Sequence, residues 1–237
     1  MKTMKYLFLF SLVILVGANS TVIAGNSDKT ETREVRDFNA IKVSTGIDLY
    51  LKMGDTEAVK IVADDDIIDR LVTEVKDGTL RIYMKRGDWF DWGGNKTRKA
   101  YVTVKEIVAI DASSGSDVKT ENTLEGESLK INASSGSDVN MDLYFKNVSL
   151  NTSSGSDARL SGKVKTFEAE ASSGSDIKAQ ELESKICKVR VSSGSDATVS
   201  VSDELYAKAS SGGDVRYYGN PTIKDIEESS GGDVSRK

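Results

Sequence analysis

The sequence predicts an all-β fold, a parallel β-helix in which each coil of the solenoid holds about 20 residues. The first observation behind this prediction is a five-residue motif, Ser-Ser-Gly-Ser-Asp, which occurs five times and returns twice as Ser-Ser-Gly-Gly-Asp. The central glycines of the motif follow one another at intervals of 18 to 21 residues: Gly115, Gly136, Gly155, Gly174, Gly194, Gly212 and Gly231. A steady period of this length is typical of repeats that bury their apolar faces by stacking.

The second observation is the alternation of apolar and polar residues ahead of each motif. Apolar side chains stand seven, five and three residues before most of the glycines, as at Leu129, Ile131 and Ala133 in the second repeat. Another apolar residue follows three positions after the glycine, as at Val139. A period of two is typical of a half-buried strand, and Ser, Thr, Gly and Val are poor helix formers. Each coil is therefore predicted to hold two short strands joined by a glycine corner.

The corner motif combines residues suited to a sharp bend. Glycine takes a positive φ without steric cost, and Ser and Asp side chains bond backbone N–H groups that a corner removes from the strand ladder. Stacking places equivalent residues about 4.8 Å apart, so the aspartates form one column: Asp117, Asp138, Asp157, Asp176, Asp196, Asp214 and Asp233. Like charges at this spacing repel unless they are solvated, bonded to backbone N–H groups, partly protonated or bridged by a cation. The column is interpreted as turn structure, with a cation ladder as the alternative.

Residues 1–24 have the organisation of a secretory signal peptide. Two lysines give a positive start, and the apolar run that follows is too short to span a membrane. Ala24 ends a cleavage site of small residues, and Ala18 ends a competing one. The protein is predicted to be exported to the periplasm, the outer cell surface or the medium, with no transmembrane segment after cleavage. Residues 25–33 are polar and are predicted to be a flexible lead-in.

Composition excludes several classes of protein. The net charge is −5 and no basic cluster is evident, which argues against a nucleic-acid partner. The chain has no histidine, so it lacks the commonest metal ligand and the usual acid–base group at neutral pH. Cys187 is the only cysteine, so no disulfide forms within the chain. It occupies the apolar column seven residues before Gly194 and is interpreted as a small buried hydrophobe.

Residues 34–110 are predicted to form an irregular β section with hairpins that leads into the repeats. Residues 44–48 match the corner motif in degenerate form, and Gly54 with Asp55 predicts a hairpin turn. Residues 64–75 could hold a short helical turn behind acidic residues. Asp77-Gly78 is the strongest hairpin signal in the chain.

Residues 111–237 are predicted to form the β-helix repeats and to end in a polar cap. In the last repeat, Lys224 and Glu228 occupy columns that are apolar in the other repeats, and the only proline, Pro221, precedes them. A polar final coil is expected to stop end-to-end growth of the sheet.

Both tryptophans lie in one loop rich in glycine and aspartate, at Trp89 and Trp92, on either side of Phe90 and Asp91. One interpretation makes Trp89, Phe90 and Trp92 an aromatic contact patch for a sugar, a peptide or a partner surface. The other makes them an aromatic plug that packs on the solenoid or seals its N-terminal end. These three residues are the predicted binding residues.

The residues also carry a family resemblance. The exported start, the opening at residues 38–43, the hairpin at residues 77–80 and the recurring Ser-Gly-Ser-Asp corners resemble the putative auto-transporter adhesin family with a head GIN domain. The resemblance covers residues 33–234. It implies an exported protein of Bacteroidetes-type bacteria that folds as a right-handed β-helix. The family offers no catalytic motif to carry over to this sequence.

The sequence predicts a non-catalytic, adhesin-like binding protein whose partner is a glycan or a cell-surface protein. A polysaccharide-acting enzyme is one alternative, although catalysis needs a distinct pair of carboxylates, or an acid with a basic partner, in one cleft. Here the acids repeat equally on every coil. A self-associating scaffold of the cell envelope is another alternative, and the oligomeric state is left open. No cofactor is predicted. Calcium between coils is the alternative, since Gly-Ser-Asp is similar to the calcium loop of β-rolls. That loop recurs about every nine residues, whereas this chain has one corner per coil, so turn structure is favoured.

Overall fold

The structure is a computed structural model that describes residues 28–85 and 96–237. These residues form seventeen strands and one 3-10 turn, Ile68–Arg70. The N-terminal strands are β1 (Asp28–Arg33), β2 (Ala40–Ser44), β3 (Asp48–Met53), β4 (Ala58–Asp64), β5 (Leu71–Lys76), β6 (Thr79–Met84) and β7 (Arg98–Val104). The strands of the repeats are β8 (Ala109–Ser113), β9 (Val118–Thr120), β10 (Leu124–Ser134), β11 (Val139–Ser153), β12 (Asp157–Ser172), β13 (Asp176–Val191), β14 (Asp196–Ser210), β15 (Asp214–Tyr218), β16 (Ile223–Ser229) and β17 (Asp233–Arg236).

The repeats form a parallel β-helix of about seven turns, each of roughly 19 residues, which confirms the predicted fold class. Successive strands pair in parallel and keep equivalent residues in register, so Ile131 lies beside Leu150 and Leu150 beside Ala169. The strands β11 to β14 each run from one corner motif to the next. The corner motifs therefore stack in one line along the solenoid.

The inward columns form a continuous apolar core. Phe167 is the largest fully buried side chain, and it lies between Val148 on one coil and Cys187 on the next. Alternation of large and small side chains at facing positions allows a core to pack closely. Cys187 is fully buried, as its column predicts, and burial raises the pKa of its thiol to about 12. Cys187 is therefore a buried side chain of the apolar core.

The coils contain a second bend that the corner motif does not signal. Strand β12 turns at Gly162, whose φ is +106°, and Gly219 turns the chain just after β15 with a φ of +107°. A Cβ atom at Gly162 would lie 2.1 Å from the carbonyl oxygen of Leu143, and one at Gly219 would lie 1.9 Å from that of Val201. Only glycine fits where the backbones of adjacent coils approach this closely.

The N-terminal section adds a coil out of sequence order. Strands β2 and β3 form one coil, which β8 and β9 cover on one side and β6 and β7 cover on the other. Strands β5 and β4 then pair antiparallel with β6 and β7. The Asp77-Gly78 turn joins β5 to β6, with both residues at positive φ, so this hairpin is confirmed.

Three local predictions in this section need correction. Strand β7 pairs with β3 on one edge and β4 on the other, so Gly54 and Asp55 close no hairpin. The flexible lead-in is wrong for Asp28–Arg33, which forms β1 because the free edge of β4 offers six paired positions. The helical turn predicted within residues 64–75 is only Ile68–Arg70, because Leu71 already starts β5.

The last coil, β16 and β17, is largely exposed. Ile223 and Ile226 are 50% and 40% exposed, and Lys224 lies in a column that is buried in earlier coils. Glu228 turns its carboxylate back onto the chain, where Oε1 accepts a 2.7 Å hydrogen bond from the N–H of Val234. The coil has the polar character expected of a cap, and its effect on end-to-end growth stays a prediction.

Candidate functional site

The corner motif has the backbone geometry of a tight primed turn. Its second serine and its glycine both have positive φ, for example +57° at Ser114 and +70° at Gly115, and this repeats in all seven motifs. Two successive residues in this region define a type I′ turn, usually Asn-Gly and here Ser-Gly. The N–H of Gly115 donates to the carbonyl of Ser135 on the next coil at 3.1 Å, so the ladder continues through the corner. A Cβ at Gly115 would meet no atom within 4 Å, so space does not require glycine here. The positive φ of the turn is what favours it.

The fourth residue of the motif is a buried serine in five of the seven repeats: Ser116, Ser137, Ser156, Ser175 and Ser195. The hydroxyl of Ser137 donates to the carbonyl of Ser134 in its own coil, and the other four hydroxyls join adjacent coils. Oγ of Ser156 accepts from the N–H of Ser137, and Oγ of Ser195 accepts from the N–H of Ser175, both at 3.1 Å. These contacts confirm the expectation that serine side chains bond backbone N–H groups at the corner.

The last two motifs carry glycine instead of this serine for a steric reason. A Cβ at Gly213 would lie 2.8 Å from the carbonyl oxygen of Ser195, and one at Gly232 would lie 2.5 Å from the carbonyl carbon of Ala209. At these two corners the backbone of the adjacent coil leaves no room for a side chain. The change from Ser-Ser-Gly-Ser-Asp to Ser-Ser-Gly-Gly-Asp therefore follows from packing between coils.

The aspartate column runs beside the corners, and its carboxylates bond the backbone of the neighbouring coil. Oδ1 of Asp117 accepts from the N–H of Asp138 at 3.2 Å, and Oδ1 of Asp138 accepts from the N–H of Asp157 at 3.1 Å. Asp196 accepts from the N–H of Asp214 in the same way at 3.3 Å. The sequence left four ways to offset the repulsion between stacked aspartates. Hydrogen bonding from backbone N–H groups is the one observed at Asp117, Asp138 and Asp196.

Cations two residues after the aspartates give further compensation. Nζ of Lys178 lies 3.3 Å from the carboxylate of Asp157, and the guanidinium of Arg216 lies 3.4 Å from Asp196 and 3.0 Å from Asp214. Across residues 28–85 and 96–237, no group of three or more His, Cys, Asp or Glu residues is placed to hold a metal ion. A cation bridge between coils stays a hypothesis, to be tested by the calcium experiment described below.

Asp117, the first aspartate of the column, has a perturbed carboxyl group. Partial burial raises the pKa of its carboxyl above the usual 3.8, and the nearby charges of Asp138 and Asp48 add to the rise, while the N–H of Asp138 opposes it. A raised folded-state pKa means that the protonated form is favoured on folding. The contribution of Asp117 to stability is therefore fully present below the ordinary pKa and is lost as the pH rises through the folded-state pKa.

We expect Asp117→Asn to raise the thermal unfolding midpoint at pH 7 slightly, by about 1–2 °C. The amide oxygen can still accept from the N–H of Asp138, and the repelling charge is gone. The difference from the wild type should fade below about pH 4, where the wild-type carboxyl is protonated. Asp157→Asn is the control, since it gives up an ion pair with Lys178 and should bring no rise. A lower midpoint for Asp117→Asn at pH 7 would contradict this interpretation.

Two shallow grooves flank one edge of the solenoid and share Gly126 and Glu127. The coil-crossing groove encloses about 480 Å³ and runs over several coils; its lining includes Val108, Leu129, Lys130, Val148 and Glu168. The lysine groove encloses about 320 Å³, and its lining includes Tyr144, Lys146, Lys163, Lys165 and Lys185. Gly126 leaves room for the ring of Phe145, since a Cβ there would lie 2.8 Å from that ring.

An aromatic stack on the aspartate side of the solenoid was missed at the sequence level. The rings of Tyr50 and Tyr101 stack with centroids 4.9 Å apart, and Nζ of Lys60 lies 4.4 Å from the centroid of Tyr101. The parallel pairing of β3 with β7 places the two tyrosines side by side. Local patterning could not have shown this, because the residues lie far apart in the chain.

The predicted binding residues Trp89, Phe90 and Trp92 lie outside the described residues. They fall between β6 and β7, the two strands of one coil. Both interpretations, the contact patch and the packing plug, stay predictions.

The fold and its surface define a class: a parallel β-helix whose polar columns are bonded coil to coil and whose open grooves lie on the outside. The chain belongs to the family described as "putative auto-transporter adhesin, head GIN domain", whose model matches residues 37–221. This confirms the resemblance seen in the sequence. A comparison with curated proteins found no match.

Solved structures from Bacteroides and Parabacteroides species have the same fold. A "putative adhesin" from Bacteroides fragilis is 21% identical and superposes with a TM-score of 0.82, covering 90% of this chain and 98% of its own. A "putative adhesin" from Parabacteroides distasonis is 22% identical with a TM-score of 0.72 and the same coverage. A "putative lipid binding protein" from Parabacteroides distasonis is 20% identical with a TM-score of 0.69, again covering 90% and 98%. At these identities the likeness establishes the fold. Within the described residues, no helix is long and apolar enough to cross a membrane.

Proposed function

We propose that the chain is an exported, non-catalytic binding protein of the cell envelope that holds a glycan or a cell-surface protein on its outer surface. The observation that carries this proposal is that acidic side chains in the described coils form hydrogen bonds and ion pairs within the protein. In the column beside the corners, carboxylates accept hydrogen bonds from the next coil or pair with a cation of their own face. Carboxylates used in this way belong to the contacts between coils and are not free to act on a substrate.

Catalysis on a polysaccharide asks for a different arrangement. A glycosidase holds one acid in a protonated state and a second as base or nucleophile, with the pair at a fixed separation in one cleft. The coil-crossing groove contains the carboxylates of Glu106, Glu127 and Glu168. Glu127 pairs with Lys146 at 3.2 Å and Glu168 with Lys188 at 2.8 Å. Each of these two carboxylates thus faces a lysine of an adjacent coil, and neither is placed against a second carboxylate of the described residues as an acid–base pair requires.

Family membership and the solved relatives support a binding function at the surface of the cell. The family is described as adhesins, and two of the superposed structures are also described as adhesins. Shallow open grooves that cross several coils suit an elongated ligand, since each coil contributes one row of contacts. Export fits a partner that lies outside the cytoplasm.

The test measures binding and turnover on the same samples. The protein without residues 1–24 is passed over immobilised neutral and acidic polysaccharides, and the same polymers are assayed in solution for new chain ends. We expect saturable retention on at least one polymer, with chain length equal to that of polymer kept in buffer alone. Shortened polymer would establish an enzyme. Self-association without retention on any polymer or cell surface would favour the scaffold alternative and overturn the proposal.

A further inference from the structure

Three lysines stack on successive coils at the lysine groove. The register of β11 with β12 and of β12 with β13 places Lys146, Lys165 and Lys185 next to one another. All three side chains are exposed, and adjacent coils lie about 4.8 Å apart. Like charges placed directly opposite on neighbouring strands destabilise a sheet. The column therefore works against folding.

The neighbouring face shows that the chain pairs opposite charges elsewhere. Acidic and basic residues meet there across successive coils: Lys188 with Glu168 at 2.8 Å, Arg190 with Glu170 at 3.1 Å, and Lys208 with Glu227 at 2.7 Å. The aspartate column is of one sign, but backbone N–H groups and two cations compensate it. In the lysine column, Lys146 is the one member with a carboxylate partner among the described residues.

Only part of the lysine groove is neutralised by the protein. Lys146 pairs with Glu127 at 3.2 Å, and Lys163 pairs with Glu183 at 3.3 Å. No described carboxylate forms a salt bridge with Lys165 or Lys185. On a chain with a net charge of −5, this leaves a local positive site that an anionic group outside the chain can fill.

The groove also presents an aromatic side chain to a ligand. Tyr144 is 61% exposed and lines the same groove as the lysines. An exposed tyrosine offers an apolar ring with a polar tip, which suits a partner with both apolar and hydroxyl surface, such as a sugar ring. The repeated positive charges run along the solenoid axis, so they match a linear polymer with repeated negative charges.

A membrane surface fits the groove less well. Binding to a bilayer combines basic residues with several apolar side chains that enter the headgroup region. Among the residues that line the groove, Tyr144 is the one large apolar side chain that is strongly exposed, while Phe145 and Val164 are buried. The acidic net charge also opposes broad attraction to anionic lipid.

We infer that the lysine groove binds acidic polysaccharides, with Lys165 and Lys185 on the carboxylate or sulfate groups and Tyr144 against a sugar ring. This inference rests on the proposed binding function and names its ligand class. No bond is made or broken in the site, since the lysines act as ionised partners of an anion.

The experiment measures the affinity of the protein without residues 1–24 for polygalacturonate, with dextran as the neutral polymer and phosphatidylglycerol vesicles as the anionic membrane. The test variant is Lys165→Gln/Lys185→Gln. The matched control is Lys52→Gln/Lys105→Gln, which removes the same charge from two exposed lysines outside the groove. We expect the test variant to weaken polygalacturonate binding at least about tenfold, and the control to change it less than about twofold. Removal of like-charge repulsion should leave the unfolding midpoint of the test variant no lower than that of the wild type at low salt.

The other outcomes separate this inference from the proposed function. Equal weakening by both variants would mean attraction by overall charge and would overturn the lysine site. Binding to dextran that both variants retain would overturn the site while leaving the binding function in place. Binding to the vesicles and not to polygalacturonate would favour a membrane ligand. Absence of binding to all three probes would count against the inference and weaken the proposed function with it.

Discussion

Gly162→Ala is expected to lower the free energy of unfolding by about 3 kcal/mol or more. The φ of +106° at this residue is strained for any side chain, and the added Cβ would lie 2.1 Å from the carbonyl oxygen of Leu143. That oxygen belongs to the backbone of the adjacent coil, so neither partner can move without disturbing the parallel ladder between β11 and β12. Urea denaturation followed by far-ultraviolet circular dichroism measures the loss.

Gly155→Ala is the matched control for this substitution. Gly155 also has a positive φ, +69°, but a Cβ there would meet no atom within 4 Å. We expect it to lower stability by only about 1–2 kcal/mol, the usual cost of a left-handed conformation for a residue with a Cβ. Equal losses at the two glycines would show that backbone conformation alone matters and that the close approach at Gly162 is unimportant.

Phe167→Ala is expected to lower the free energy of unfolding by about 3–5 kcal/mol. Phe167 is fully buried between Val148 and Cys187, and these smaller side chains cannot close the space that its ring leaves. The loss has two parts: the free energy gained by burying the ring is given up, and the cavity that remains adds a further cost. Urea denaturation should show a lower midpoint with little change in slope.

The control for Phe167→Ala is Tyr144→Ala on the neighbouring coil. Tyr144 is 61% exposed, so its removal takes away little buried surface and should change stability by less than about 1 kcal/mol. Similar losses for the two variants would contradict the assignment of Phe167 to the centre of the core.

The sequence was a good guide to the coils because each column repeats. Positions such as Leu129 and Ile131 recur at a constant distance from a glycine, and a buried strand face leaves this trace even without an alignment. The N-terminal section was harder. The Gly54–Asp55 turn resembles a hairpin locally, but β7 comes between β3 and β4 through pairing that is distant in sequence. Local turn chemistry cannot encode that insertion.

The sequence showed some residues of the candidate sites but not their partners, because the partners lie on the adjacent coil. The aspartate column was evident in the motif, but its partners are backbone N–H groups of the next coil, which only the register reveals. The lysine column did leave a signal, since Lys146, Lys165 and Lys185 each stand nine residues before a motif glycine. Gly162 and Gly219 likewise each stand seven residues after a motif glycine. Extending the columns around the whole coil would have found both features.

We infer that the repeated acids belong to the architecture of the solenoid. The most direct test is thermal unfolding of the protein without residues 1–24, at low protein concentration, in calcium and in a chelator. We predict the same midpoint in both, because carboxylates of the aspartate column are already bonded to N–H groups and cations of the protein. A large upward shift in calcium that disappears in Asp157→Asn/Asp176→Asn would contradict this inference and make the aspartate column an ion ladder.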